Sequence, residues 1–180
     1  FKDFEYPATY GFFGWPGSTE TFFTQAFTFN DKAQADIYLT LLNQLNRRFK
    51  QIEALLDARK AAGIIEPTVT LNYSQGLVAS IANSAASATS YYQAFNQQLS
   101  ALDSISTADK ATLRETALLT INEKVIPAYA SLASKMSALA NEAPSQIGFG
   151  QFSGGKAFYD FTLNYYTSGH LTADQIHQLG

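Results

Sequence analysis

The 180 residues contain no cysteine. That one absence removes disulfides, thiolate metal sites and thiol nucleophiles together, although it does not place the chain in a reducing or an oxidising compartment. Histidine is scarce too: His170 and His177 are the only two, and no H-E-x-x-H spacing puts two imidazoles and a general base on one helix face. Asp, Glu, Lys and Arg together make up 15% of the chain, against about 25% in an average soluble protein. Ser, Thr, Asn and Gln must therefore supply the polar surface, a bias common in exported bacterial proteins. The net charge is −3 and the basic residues are scattered, so there is no electrostatic footprint for a phosphate backbone and nucleic acid is not an expected partner. No apolar run approaches the roughly 18 to 20 residues that span a bilayer. The stretch from Phe1 also lacks the basic-then-apolar order of a signal peptide, which a processed parent protein would have lost already.

What is present is apolar: 46% hydrophobic residues with 14% aromatics, enough at this length for one packed core. Eleven of the 25 aromatic side chains fall in residues 1–30, where Pro7, Gly11, Gly14, Pro16 and Gly17 break every helical or strand period. This segment reads as irregular, with Phe12, Phe13, Trp15, Phe22, Phe23 and Phe27 either plugging gaps between helices or lining a groove for an extended ligand.

From residue 31 the pattern is helical. Asp31, with Gln34 three residues on, caps an amphipathic helix whose seam is Tyr38, Leu42, Leu45, Phe49, Ile52 and Leu56 and whose stop is Gly63. One helix of about 30 residues is expected, roughly 45 Å long at 1.5 Å per residue. Pro67 suits the first turn of the next, in which Val69, Tyr73, Leu77 and Ile81 step by four along one face. The small residues Asn83 to Ser90 break it, and a short helix from Tyr91 to Leu102 points Phe95 and Leu99 inward. Ser106 and Asp109 open a long stretch to about Asn141, with a kink near Lys124 to Ile126, because Pro127 removes one backbone bond and collides with the carbonyl of Glu123. After a Pro/Gly-rich loop, Lys156 to Tyr166 reads as a helix with Phe158, Phe161, Leu163 and Tyr165 or Tyr166 inward. Thr172-Ala173-Asp174-Gln175 is a capping box for a final helix of about two turns before Gly180. A helix that short needs a partner, so the end reads as a capped stub or as a cut through a longer protein. No segment alternates apolar and polar residues for long. The expected fold is all-α: long amphipathic helices packed as an irregular bundle over 31–180, behind the aromatic segment 1–30.

Few constellations carry chemistry. Gly150-Gln151-Phe152-Ser153-Gly154-Gly155-Lys156-Ala157 satisfies G-x-x-x-x-G-K but ends on Ala157, which has no hydroxyl for Mg²⁺, and no buried strand precedes it, so a glycine turn between helices is the reading. The cap at Thr172 leaves His170 outside the last helix, and no Glu stands at metal-ligand spacing from either histidine. No metal site and no catalytic triad is assembled. Asn72-Tyr73-Ser74 is an N-x-S sequon inside a predicted helix and carries no weight.

Ala62-Gly63 with Pro67, then Val125-Ile126-Pro127-Ala128-Tyr129, then Gly154-Gly155-Lys156-Ala157-Phe158-Tyr159, and above all Leu171 to Gly180 (LTADQIHQLG) resemble, in order and spacing, the bacterial domain-of-unknown-function 885 family. The resemblance implies a mainly helical protein, often exported or lipid-anchored, that looks like a zinc-dependent peptidase. In that family a His-Glu pair followed by Pro-Gly-His-His lies far downstream of the segment matched by Ile176 to Gly180. This chain would then be the N-terminal half of a larger hydrolase, without metal ligands or cofactor of its own. Zinc would belong to the intact parent, the missing C-terminal half would be its partner, and a peptide its substrate. The parent would be periplasmic, lipid-anchored or secreted. Tyr159, Tyr166 and His177 are the side chains expected to help position substrate. The rival expectation is a self-contained helical binding module whose aromatic N-terminal segment is the contact surface.

Overall fold

The computed structural model describes residues 14–167, 169 and 171–180. Phe12 and Phe13 of the aromatic segment, and His170, lie outside the described residues. Helix α1 (Trp15–Thr21) has Pro16 in its first turn and runs into a π turn, Phe22–Ala26, closed by the Phe27 amide on the Phe22 carbonyl at 2.8 Å. Then follow α2 (Lys32–Asn43), α3 (Leu45–Ala61), α4 (Thr68–Ala82), α5 (Ser90–Ser100), α6 (Thr107–Thr120), a second π turn (Ile121–Val125), α7 (Ile126–Ala140), α8 (Gly155–Thr167) and α9 (Ala173–Leu179). Short 3₁₀ turns at Ala86–Ala88 and Phe149–Gln151 sit between α4 and α5 and between α7 and α8. Among the described residues there is no strand, and the fold is all-α.

Helix ends fall where local chemistry sets them. The Asp31 side chain accepts the Gln34 amide at 2.8 Å, while the Gln34 side chain reaches one residue further back than a standard box, to the Asn30 amide at 2.9 Å. Gly63 adopts φ +75, and the Gly63 and Ile64 amides bond the carbonyls of Lys60 and Arg59, both at 2.9 Å. These two crossed bonds are the Schellman closure that needs a left-handed residue at that point. Ser106 caps α6, and Thr172 with Gln175 makes both halves of the capping box of α9.

The expected single helix from Asp31 to Gly63 is two helices, parted at Gln44 (φ −89, ψ −2), whose amide bonds the carbonyl of Leu41. This tighter turn falls between Leu42 and Leu45, which are three apart, so the seam stays buried from Tyr38 through Leu56 across the break. At Pro127 the expected disturbance takes the form of the second π turn. The Ile126 amide bonds Ile121, five residues back, which widens the turn where the proline ring would otherwise meet the carbonyl of Glu123.

Helix α7 packs along α4 and along α3. It lies antiparallel to α4: the Thr68 amide that opens α4 bonds the Pro144 carbonyl just past the end of α7 at 3.0 Å. It runs parallel to α3, whose C-terminal half is tied to that of α7 by the ion pairs Asp57–Lys135 and Lys60–Glu142. Such exposed pairs contribute about 0–1 kcal/mol each. The core holds Tyr38, Phe49, Tyr91, Phe95, Leu99, Ile121, Leu132 and Met136, none more than 1% exposed. Burying side chains of this size stabilises by roughly 1.5–3 kcal/mol apiece.

Two expected faces turn out otherwise. On α4 the buried side is Leu71, Ser74, Val78 and Ile81, whereas Val69, Tyr73 and Leu77 are 62%, 55% and 47% exposed. The helix carries two adjacent apolar stripes, and α7 covers one. On α8, Phe161, Tyr165 and Tyr166 point outward, with Phe158 and Leu163 half-buried. Its anchor is the Phe149 ring, 4.8 Å from that of Phe158, while on the outside Phe161 stacks on Tyr165 and Tyr166 meets Tyr165 edge to face.

The glycine stretch is the turn that starts α8. Gly154 has φ +76, and a Cβ on Gly155 would stand 1.6 Å from the Phe149 carbonyl oxygen. Gly155→Ala must therefore open this turn. We expect the amides of Gly155 and Phe158 to lose at least about tenfold of their hydrogen-exchange protection while α2 to α7 keep theirs; unchanged exchange at both amides would contradict the close approach.

Candidate functional site

Trp15, Phe22, Phe23 and Phe27 divide between the two roles open to them. Phe23 is buried, with its ring 5.2 Å from that of Tyr38, and Phe27 packs on Tyr38 at 5.6 Å. Phe22 is 42% exposed and, with Phe23, lines a groove of about 660 Å³ between α1 and the Gln44 break, together with Thr19, Arg47 and Arg48. Arg48 Nε donates to Thr19 Oγ1 at 3.0 Å, which fixes one guanidinium against the wall. Trp15 sits beside Arg48 and Ile52 on the adjoining surface.

On the other side of α1, a second groove of about 400 Å³ runs between α1, the first π turn and α4, with Tyr129 of α7 also in its wall. Its polar lining comes from separated points of the chain, among them Glu20, Ser74 and Tyr129. Glu20, on the last turn of α1, accepts a hydrogen bond from Ser90 Oγ at 2.6 Å across the start of α5. Behind it the hydroxyls of Tyr91 and Tyr129 are hydrogen-bonded at 2.6 Å, either one able to donate, and Tyr38 Oη donates to the Tyr91 carbonyl at 3.3 Å. All three phenols are held well above the usual tyrosine range, first of all by burial; for Tyr91 and Tyr129 the negative charge of Glu20 adds to it. Both hydroxyls of the pair therefore keep their protons, and since one proton serves the bond between them, the other is available to a further acceptor.

Ser74 completes the wall from α4. It is 1% exposed and lines the groove, yet its hydroxyl has no hydrogen-bond partner among the described residues, not even the carbonyl one turn back on its own helix. A buried hydroxyl left in that state costs about 1–3 kcal/mol. Glu53 Oε1 and Gln151 Oε1 share its condition but do not line this groove.

Tyr159 and Tyr166 lie seven residues apart on α8, and His177 lies on α9. Tyr159 is 44% and Tyr166 79% exposed, and His177 is exposed as well. None of the three lines either groove. Sequence reasoning missed Glu20, Ser74 and Tyr91 as site residues, and met Tyr129 only as the end of the Val125 to Tyr129 motif. No local signal marks a serine one helix turn from an alanine or valine as the one that will face a groove. Among the described residues no three His, Asp or Glu side chains are grouped to hold a metal ion, and no helix is long and apolar enough to cross a membrane.

No curated protein matches the chain. Among solved structures it is similar to one described as the putative lipoprotein from Colwellia psychrerythraea, at 21% identity and a TM-score of 0.87. The likeness covers 92% of this chain and 28% of that one, so the fold described here is less than a third of the length of its neighbour. The family described as "Bacterial protein of unknown function (DUF885)" matches residues 7–180, and the chain belongs to that family.

Proposed function

We propose that these residues form the N-terminal helical part of a larger, metal-dependent, peptidase-like hydrolase, and that they supply one wall of its substrate cleft. The observation that carries the reading is apolar surface left bare on a well-packed bundle: Val69 and Leu77 on α4, and Phe161, Tyr165 and Tyr166 on α8. On α8 the three rings touch one another, and contiguous apolar surface of this kind marks an interaction site in a folded protein. The much longer chain of the structural neighbour supports it, as does the downstream metal motif that the sequence resemblance implies. Zinc and its ligands are assigned to the rest of the parent, on the downstream metal motif that the resemblance implies. In this reading Tyr159, Tyr166 and His177, carried on the exposed surface of α8 and α9, touch the peptide and position it. The parent is exported or lipid-anchored in the bacterial envelope, in keeping with the low charge of the chain and with the description of its neighbour.

The test is a peptide-hydrolysis assay on this chain and on the full gene product, each with and without chelator. We expect turnover by the full product alone, lost on chelation. Metal-dependent turnover by the 180 residues, or turnover by the full product that ignores chelator, would overturn the assignment. The second reading, a self-contained binding module, is favoured by the Glu20 groove, whose wall is built entirely within this chain.

A further inference from the structure

Among the described residues, Glu20 is the one charged side chain that lines the groove between α1 and α4, and no Lys, Arg or His does so. Ser74 Oγ is buried in the same wall without a partner, and an unsatisfied buried hydroxyl is destabilising unless something completes it. Leu77, Val78 and Ile81 give that wall an apolar stretch next to the polar end.

We infer that this groove binds a primary ammonium group on a short apolar stem, the chemistry shared by a peptide amino terminus with an aliphatic side chain and by a lysine side chain. The ammonium brings three N–H donors and no acceptor. Glu20 offers a carboxylate, whose Oε1 already accepts from Ser90 and which retains further lone pairs, and Ser74 Oγ offers the unused acceptor. Charge-assisted hydrogen bonds of this kind are the strong ones, and the stem lies along Leu77, Val78 and Ile81. An anion would meet Glu20 with no compensating cation among the described residues of the lining. The groove on the other side of α1, which carries Arg47 and Arg48, has the opposite electrostatic character. The inference stands apart from the hydrolase reading, since the groove needs no residue from outside this chain.

The experiment is an NMR titration of the 180-residue chain, followed at the methyl groups of Leu77, Val78 and Ile81. The probes are n-butylammonium chloride, tetramethylammonium chloride and sodium butyrate. Saturable shifts are expected with n-butylammonium alone, since tetramethylammonium has the charge without N–H donors and butyrate the wrong sign. Glu20→Gln, whose amide oxygen can still accept from Ser90, is expected to weaken n-butylammonium binding about tenfold or more. Ser74→Ala is expected to weaken it several-fold and, by removing the unpartnered hydroxyl, to raise the urea midpoint. Absence of saturable shifts, equal affinity for tetramethylammonium, or unchanged affinity in Glu20→Gln would each overturn the inference; the first would mean that water alone fills the groove. Leucinamide against Nα-acetyl-lysinamide then separates the two sources, the tighter of them naming the natural group.

Discussion

Phe95→Ala is expected to lower the stability of the chain by about 3–5 kcal/mol, the range for removing a buried aromatic ring from a core that cannot collapse around the gap. Phe95 is fully buried on α5, with its ring 5.3 Å from Phe29 and 5.1 Å from Tyr38. It therefore joins the segment before α2, α2 itself and α5. A domain of this size has roughly 5–15 kcal/mol of stability in all, so the loss takes a large part of it and will show as a fall in the urea midpoint. Phe161→Ala is the control. That ring is 53% exposed on α8, and its removal should change stability by no more than about 0.5 kcal/mol. Equal effects of the two substitutions would mean that the core is not where the structure puts it.

Alkali should unfold the protein steeply, through Tyr38, Tyr91 and Tyr129. In an unfolded chain a tyrosine loses its proton near pH 10, whereas burial holds these three protonated well beyond that in the fold. Below pH 10 both states bind the same number of phenolic protons and these groups give no pH dependence. Above it the unfolded state binds fewer, so stability falls as pH rises, until the folded-state values are reached. One such group gives a slope of about 1.4 kcal/mol per pH unit and three together about 4. Urea unfolding between pH 8 and 11.5, with phenolate absorbance followed alongside, measures this. Tyr129→Phe should remove about a third of the slope; a stability that stays flat beyond pH 11 would sink the assignment of the three phenols to the core.

The features legible in the sequence are those decided within a few residues. Asp31, Gly63, Ser106 and Thr172 mark helix ends because a cap uses only its own neighbours, and Pro127 disturbs its helix because the clash lies four residues away. Periodicity placed Phe49, Phe95 and Leu99 in the core. It failed where an element is apolar on more than one side: nothing within α4 says that α7 takes the stripe of Leu71 and Val78 and leaves Val69, nor within α8 that its tyrosines stay uncovered. The Glu20 groove was illegible for a related reason. Residues 20, 74 and 129 are far apart in the chain, and their juxtaposition follows from how α1, the first π turn and α4 come together beside Tyr129, which no local pattern encodes.

The second π turn makes a single rod do the work of two. Its one extra residue shifts the downstream face by about 100° around the axis, between a segment, α6, that packs on α2 and α5 and a continuation, α7, that packs on α3 and α4. Two halves of the bundle are thereby yoked on one shaft.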